Sequence, residues 1–200
     1  IVTGLVGSEM CIRDRYTFMK KIILISFIFL FSIHANAACK FDLDFGEDIS
    51  KIQDKYGPAM PLENFGEDEL SMVIAVADEV CPNHRLKDVA IEYRFLNDKL
   101  AAVNLISLNT ESDTKKSEKL TIMKYVKRNY GDFDTGQTPT SYLGYEVFEK
   151  TKQFIVYQRI LDDLGFIEEQ MYLSNKKYDE LLGIFYNQLE EEMAESESQN

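Results

Sequence analysis

A run of alternating apolar and polar residues, followed by a two-residue turn and a second, mostly apolar run, constrains the fold of this chain most strongly. The first run is VAIEYRF at residues 89–95, and the second covers residues 100–108. Period-two alternation is typical of strands with one buried face, and Asn97-Asp98 between the runs is a hairpin turn signal. The segment therefore predicts an antiparallel hairpin.

More strands are expected on both sides of this hairpin. A short strand is predicted where Phe41, Leu43 and Phe45 alternate with two aspartates. Short turns join antiparallel neighbours, so we predict an α+β fold built on an antiparallel sheet. Three further strands are expected at residues 145–148, 154–160 and 166–173, with turns at residues 149–152 and 162–165.

Helices are expected where apolar residues recur at helical spacing. Gly57-Pro58, Pro82 and Gly131 are the stop signals that end the first three of them. We expect the helices to pack on one face of the sheet. They cover residues 48–57, 70–81 and 120–130, with a loop at residues 58–66, and a last helix begins near residue 178.

The chain contains an internal echo that suggests two helix-plus-hairpin units. Tyr56-Gly57 ends one helix before strands, and Tyr130-Gly131 ends another in the same way. A helix ending in Tyr-Gly and followed by a hairpin such as IEYRFLNDKL resembles small bacterial envelope proteins of the SmpA/OmlA (BamE-like) type and uncharacterised exported relatives, over residues 46–108. That resemblance implies helices packed on an antiparallel sheet, and a scaffold or binding role in the cell envelope.

Residues 19–37, MKKIILISFIFLFSIHANA, have the pattern of a cleaved export signal: two lysines, an apolar stretch and a small-residue cleavage site. The apolar stretch, residues 22–33, is shorter than the roughly 20 residues that span a bilayer as a helix. We therefore expect a periplasmic protein with no stable membrane span after cleavage.

The preceding residues, 1–18, are expected to be non-native, because LVGSEMCIRDR at residues 5–15 resembles a translated sequencing adapter. The rival interpretation is a genuine extension followed by a membrane anchor. Residues 38–189 then form a single α+β domain, and residues 190–200, rich in Glu and Ser, are expected to be a frayed or disordered acidic tail.

Residues 38–200 carry 18 basic and 32 acidic side chains, so this part is more acidic than the full chain, whose formal charge is -12. Strong negative charge repels nucleic-acid phosphates and anionic lipid headgroups, and no nucleic-acid partner is expected. The charge is expected mainly to keep the protein soluble, although it would also attract a basic protein.

Cys39 and Cys81 are the only cysteines after residue 37, and two thiols in an oxidising compartment predict one disulfide. It would close a loop of about 43 residues and contribute about 4 kcal/mol in the chain-entropy treatment. The alternative is lipid attachment at Cys39. A lipobox, however, needs a bulky aliphatic residue at the position that Asn36 occupies.

Signatures of catalysis and of metal binding are missing from the sequence. It contains no G-x-S-x-G elbow, phosphate-binding loop, H-E-x-x-H helix or C-x-x-C pair, and His84 is the only histidine after residue 37. We expect no catalytic residues, no metal and no cofactor. Two partial calcium patterns, at residues 42–46 and 132–136, lack the required Gly and Glu. They are interpreted as solvated turn carboxylates, and the pair Glu168-Glu169 as solvated strand charges.

These observations predict an exported bacterial envelope protein of unknown specific activity that binds a partner, such as another envelope protein, or serves as a scaffold without catalysis. The alternatives are a hydrolase with an unrecognised site and an acidic inhibitor of a basic envelope enzyme. A pocket with convergent buried polar groups, including His84, would favour the hydrolase, whereas an open apolar patch on the sheet would favour binding.

Overall fold

A computed structural model describes residues 38–65, 67–108, 119–161 and 165–198. These residues form seven strands and four α-helices, which confirms the α+β class. The expected adapter-derived segment and export signal, residues 1–37, lie outside the described residues, as does most of the turn at 162–165. In chain order the elements are α1 (Ser50–Tyr56), β1 (Met60–Phe65), β2 (Asp68–Val76), α2 (Ala77–Val80), β3 (Val89–Leu96), β4 (Lys99–Ser107), α3 (Thr121–Asn129), β5 (Gly144–Lys150), β6 (Gln153–Leu161), β7 (Ile167–Ser174) and α4 (Lys176–Ser198).

All seven strands form one antiparallel sheet with the order β1-β2-β3-β4-β7-β6-β5. The hairpin predicted at residues 89–108 is β3–β4. Its turn residues Asn97 and Asp98 have φ angles of 51° and 60°. Positive φ at both central positions is the conformation that matches the twist of a two-residue hairpin, and Asn and Asp tolerate it better than most residues.

The order of elements agrees with two units that each begin with a helix. In the first unit α1 precedes β1 to β4, and in the second α3 precedes β5 to β7. The last strands of the two units, β4 and β7, pair with each other at the centre of the sheet. Both helices end at a Tyr-Gly pair, and φ at Gly57 is +103°, a value that side-chain-bearing residues rarely adopt.

Helices pack on both faces of the sheet. On the first face, α1 and α3 pack on the inward residues of β3, β4, β6 and β7 and form the main core. On the second face, Leu182 and Phe185 of α4 pack on Leu70 of β2 and on β4 near the hairpin turn. The expectation that all the helices share one face is therefore wrong for α4, which packs on the second face. This helix covers only the end of the second face that lies near residues 97–98.

The prediction of a helix over residues 70–81 is wrong. Residues 68–76 are β2, and only Ala77–Val80 is helical. Leu70 packs against α4 on the second face, whereas Val73 and Ala75 pack into the main core on the first. Because both faces of this strand are covered at one end, its apolar residues also fit a helical period, and the β-branched content was the better signal.

Three further expectations need correction. The loop expected at residues 58–66 contains strand β1, in which Pro61 is tolerated because β1 lies at the sheet edge. The strand expected at Phe41 is instead a turn, since φ at Phe41 and Asp42 is positive. The tail expected to be frayed from residue 190 is helical as far as Ser198.

Candidate functional site

A disulfide fastens the first described residues to the end of α2. Cys39 is bonded to Cys81, with 5.9 Å between the Cα atoms, as predicted. The Cys39 amide donates a hydrogen bond to the Tyr125 hydroxyl (3.1 Å), and the Tyr93 hydroxyl donates to the Phe41 carbonyl (2.8 Å). Phe41 is buried in the main core. A bonded Cys39 has no free thiol for lipid attachment, so the structure favours the disulfide over the lipoprotein alternative.

This fastened segment forms one wall of a groove of about 970 Å³. The β5–β6 turn forms a second wall, and the beginning of α4 forms a third. We call this feature the lysine-rimmed groove. Its larger apolar lining residues are Phe45 and Phe154, which are half-buried, and the core residues Phe41, Leu43, Val103 and Leu173, which are buried.

The charge of the groove differs from that of the rest of the chain. Five lysines and four carboxylates line it, whereas acidic side chains outnumber basic ones by 32 to 18 in residues 38–200. The lysines come from three segments that are far apart in sequence, so only the fold brings them together. They are Lys40, Lys150, Lys152, Lys176 and Lys177, and the carboxylates are Asp44, Glu149, Asp179 and Glu180.

Several of these charges have partners near α4. The Glu180 carboxylate lies 4.0 Å from Lys176 Nζ, and Asp179 accepts a hydrogen bond from the Tyr172 hydroxyl (2.9 Å). Lys177 Nζ stands 4.9 Å from the centre of the Tyr178 ring. Asn175 Oδ1 accepts from the Tyr178 amide (2.9 Å) and caps α4, so the positive end of that helix lies at the groove.

His84 lies apart from the groove. Its ring packs edge-on against Tyr125, with 5.9 Å between the ring centres, and its carbonyl accepts a hydrogen bond from Arg128. Burial, and then the Arg128 charge, lower the pKa of His84. The residue is absent from the groove lining. The groove therefore does not bring His84 together with its polar lining residues.

A buried carboxylate was missed by sequence reasoning. Glu169 is 1% exposed, whereas the pair Glu168-Glu169 was expected to be solvated. Glu169 accepts hydrogen bonds from the amides of Ile122 (3.2 Å) and Met123 (2.6 Å) at the start of α3, and from the Tyr157 hydroxyl (3.1 Å). Burial raises the pKa of Glu169, and these hydrogen bonds oppose the shift. The sequence contains a signal for this burial, because Glu169 shares the buried face of its strand with the apolar residues Ile167 and Met171.

Arg159 lies near this carboxylate and is also fully buried. Its Nη1 donates to the carbonyls of Thr140 and Tyr142, both at 2.9 Å, and so fixes the segment that leads into β5. Its positive charge lowers the pKa of Glu169 by a smaller amount than burial raises it. Both charged groups hold the fold together around α3 and the loop before β5, which gives them a structural role.

One carboxylate of each partial calcium pattern is paired with a lysine. Lys55 and the Tyr56 hydroxyl donate hydrogen bonds to Asp42, and the Lys55 contact is the main reason that the pKa of Asp42 is lowered. Lys127 Nζ lies 3.0 Å from Asp132. Across the described ranges, no group of three or more potential ligands is placed to hold a metal ion.

The end of the second sheet face that α4 leaves uncovered carries exposed apolar side chains. One cross-strand row runs from Val76 on β2 to Tyr145 on β5, and Ile160 lies next to it. Their exposed fractions are 51%, 73% and 41%. We call this surface the open half-face. The complete row is Val76, Ala90, Ile106, Gln170, Gln158 and Tyr145.

The open half-face ends at β5, which is an edge of the sheet. β5 pairs with β6 over seven residues without a register shift and contains no proline. The opposite edge, β1, is interrupted by Pro61 and by a bulge between Pro61 and Glu63. Proline and bulges protect edge strands from pairing with other chains. β5 therefore offers a regular edge that lacks both of these protections.

Comparison of the chain with protein-family models, with curated proteins and with solved structures found no match. The resemblance to BamE-like envelope proteins therefore stays a prediction. Of the helices that the structure describes, none is long and apolar enough to cross a membrane.

Proposed function

We propose that this chain is an exported envelope protein whose folded domain binds another envelope protein without catalysing a reaction. The observation that carries this proposal is the open half-face, where Tyr145 on β5 and Ile160 on the neighbouring β6 are exposed beside the regular edge of the sheet, and Val76 is exposed on the same face at β2. Exposed apolar side chains grouped on one surface are typical of protein interaction sites. The disulfide and the signal pattern at residues 19–37 support an oxidising compartment reached by export.

The partner is a protein segment that adds to β5 as a further strand. Its main-chain groups would pair with the free edge of β5, and its alternate side chains would rest on Tyr145 and Val147. Backbone pairing supplies affinity, and the side-chain contacts supply specificity. A partner with basic side chains would also be attracted by the acidic domain.

Photo-crosslinking in cells tests this site. The chain is expressed from Met19 in a bacterial host with a benzophenone amino acid at position 145, and a matched sample carries it at position 124 on the exposed side of α3. A specific protein adduct at position 145 and none at 124 is expected. Replacement of Val147 by lysine should remove the adduct in a chain labelled at 145, whereas Ile184→Lys, on exposed α4, should not. Equal labelling at 145 and 124 would refute the site.

The export part of the proposal has its own test. Mass spectrometry of the natural protein is expected to show a mature chain that begins at Ala38, with Cys39 and Cys81 oxidised. A mature chain that begins at or before residue 18 would contradict both the signal peptide and the non-native origin of residues 1–18. An acyl group on Cys39 would replace the disulfide with the lipoprotein alternative.

A further inference from the structure

We propose that the lysine-rimmed groove binds a single-chain anionic amphiphile, such as a fatty-acid carboxylate. The alkyl chain would lie along the apolar lining, and the carboxylate would reach the lysines at the rim. This small-molecule site lies at a different place from the open half-face, and it does not depend on the function proposed above.

The size and lining of the groove fit a flexible apolar chain. Its volume of about 970 Å³ lies within the range of roughly 300–1,000 Å³ that is typical of ligand sites. Phe45 and Phe154, which are half-buried, line it from two different walls, so a ligand between them loses contact with water on two sides. Removal of apolar surface from water is the main driving force for such binding.

The charges of the groove favour an anionic head group. Lys40 lies on the wall fastened by the disulfide, and Lys150 and Lys152 lie on the β5–β6 turn. None of these three takes part in an ion pair found within the described residues. An ammonium group without a carboxylate partner is available to a ligand anion, and the positive end of α4 adds to the attraction.

The overall acidity of the chain favours a free amphiphile over a membrane surface. Beyond the Debye length, about 8 Å at physiological ionic strength, the charges of the chain are largely screened. A ligand inside the groove therefore responds mainly to the five lysines and four carboxylates that line it, a small excess of positive charge, whereas a flat anionic bilayer meets the acidic exterior as well. The groove accordingly suits a single molecule rather than a lipid sheet.

Titration calorimetry with residues 38–200 in the oxidised form tests the ligand class. The probes are laurate below its micelle concentration, glycerol monolaurate, which has the same chain without a charge, and acetate, which has the charge without the chain. We expect laurate to bind, monolaurate to bind at least tenfold more weakly, and acetate not to bind. Equal binding of laurate and monolaurate would overturn the role of the lysines, and no binding of laurate would overturn the site.

Matched charge reversals separate the groove from net charge. Lys150→Glu with Lys152→Glu should weaken laurate binding at least tenfold, whereas Lys87→Glu with Lys124→Glu, at exposed positions outside the groove, should leave it within twofold. Thermal unfolding checks that both variants fold. An equal loss in both pairs, or tighter binding to phosphatidylglycerol vesicles than to monomeric laurate, would overturn the proposal. Val147→Lys should leave laurate binding unchanged, so failure at the β5 edge and failure at the groove are distinguishable.

Discussion

Glu169 is the residue whose surroundings say most about how this domain is held together. A buried carboxylate is costly unless hydrogen bonds compensate for the lost water. Here two amides at the start of α3 and the Tyr157 hydroxyl supply those bonds, and the positive helix end favours the negative charge. Glu169 is therefore a cap that β7 provides for a helix about 45 residues earlier in the chain.

Replacement of Glu169 by alanine should destabilise the domain by about 2–4 kcal/mol, because it leaves the Ile122 and Met123 amides and the Tyr157 hydroxyl buried without an acceptor. Glu168→Ala is the matched control. Glu168 is half-buried on the opposite face of the same strand, and its removal should cost less than about 1 kcal/mol. Urea unfolding of both variants measures the difference, and equal losses would contradict the capping role.

The raised pKa of Glu169 also predicts a pH dependence. Between the unfolded pKa, about 4.3, and the higher folded pKa, the native state keeps a proton that the unfolded state has released. The contribution of Glu169 to stability should therefore fall as pH rises through this window. Glu169→Gln lacks the titration, so the stability of the native chain relative to this variant should decrease from pH 4.5 to pH 8 in urea unfolding. A constant or rising difference would show that the contacts of the charged form outweigh its burial.

Among the elements, the segment that carries Cys39 depends most on a covalent link. Its described part before α1, residues 38–49, contains no named strand or helix, yet Phe41 and Leu43 are buried in the main core. Removal of both sulfurs by Cys39→Ala with Cys81→Ala should destabilise the domain by about 2–5 kcal/mol. Amide hydrogen exchange should rise over residues 38–45, while residues 122–126 of α3 keep their protection. Unchanged exchange in the first segment would show that packing alone holds it.

The elements also show what local patterns can predict. The β3–β4 hairpin was predictable because Asn97-Asp98 accepts positive φ and each flanking strand has one face toward the main core. Strand β2 was not predictable, because its two faces pack against different partners and its apolar residues do not alternate with polar ones. The turn at Phe41 was not predictable either, since positive φ at an aromatic residue has no sequence signal.

The candidate sites belong to the scale of the whole molecule. Lys40, Lys150 and Lys177 meet in one groove only because β4 pairs with β7 and α4 starts beside them. The spacing of these lysines in the sequence does not predict that they lie close together. The disulfide partner of Cys39, by contrast, was predictable, because only one other cysteine remains after residue 37. The position of α4, which leaves half of the second face open, also follows from tertiary packing rather than from local pattern.

The excess of acidic side chains makes a prediction for the molecule as a whole. With 32 acidic and 18 basic side chains after residue 37, the folded state brings like charges together and repels itself. Exposed ion pairs such as Lys99–Asp48, at 3.0 Å, offset little of this, because each contributes about 0–1 kcal/mol. Raising the ionic strength from 0.01 M to 0.15 M shortens the Debye length from about 30 Å to about 8 Å and screens the repulsion more than these short contacts. The midpoint of thermal unfolding of residues 38–200 should therefore rise with sodium chloride at pH 7.5. A midpoint that falls with salt would mean that attractive pairs dominate the surface despite its net charge.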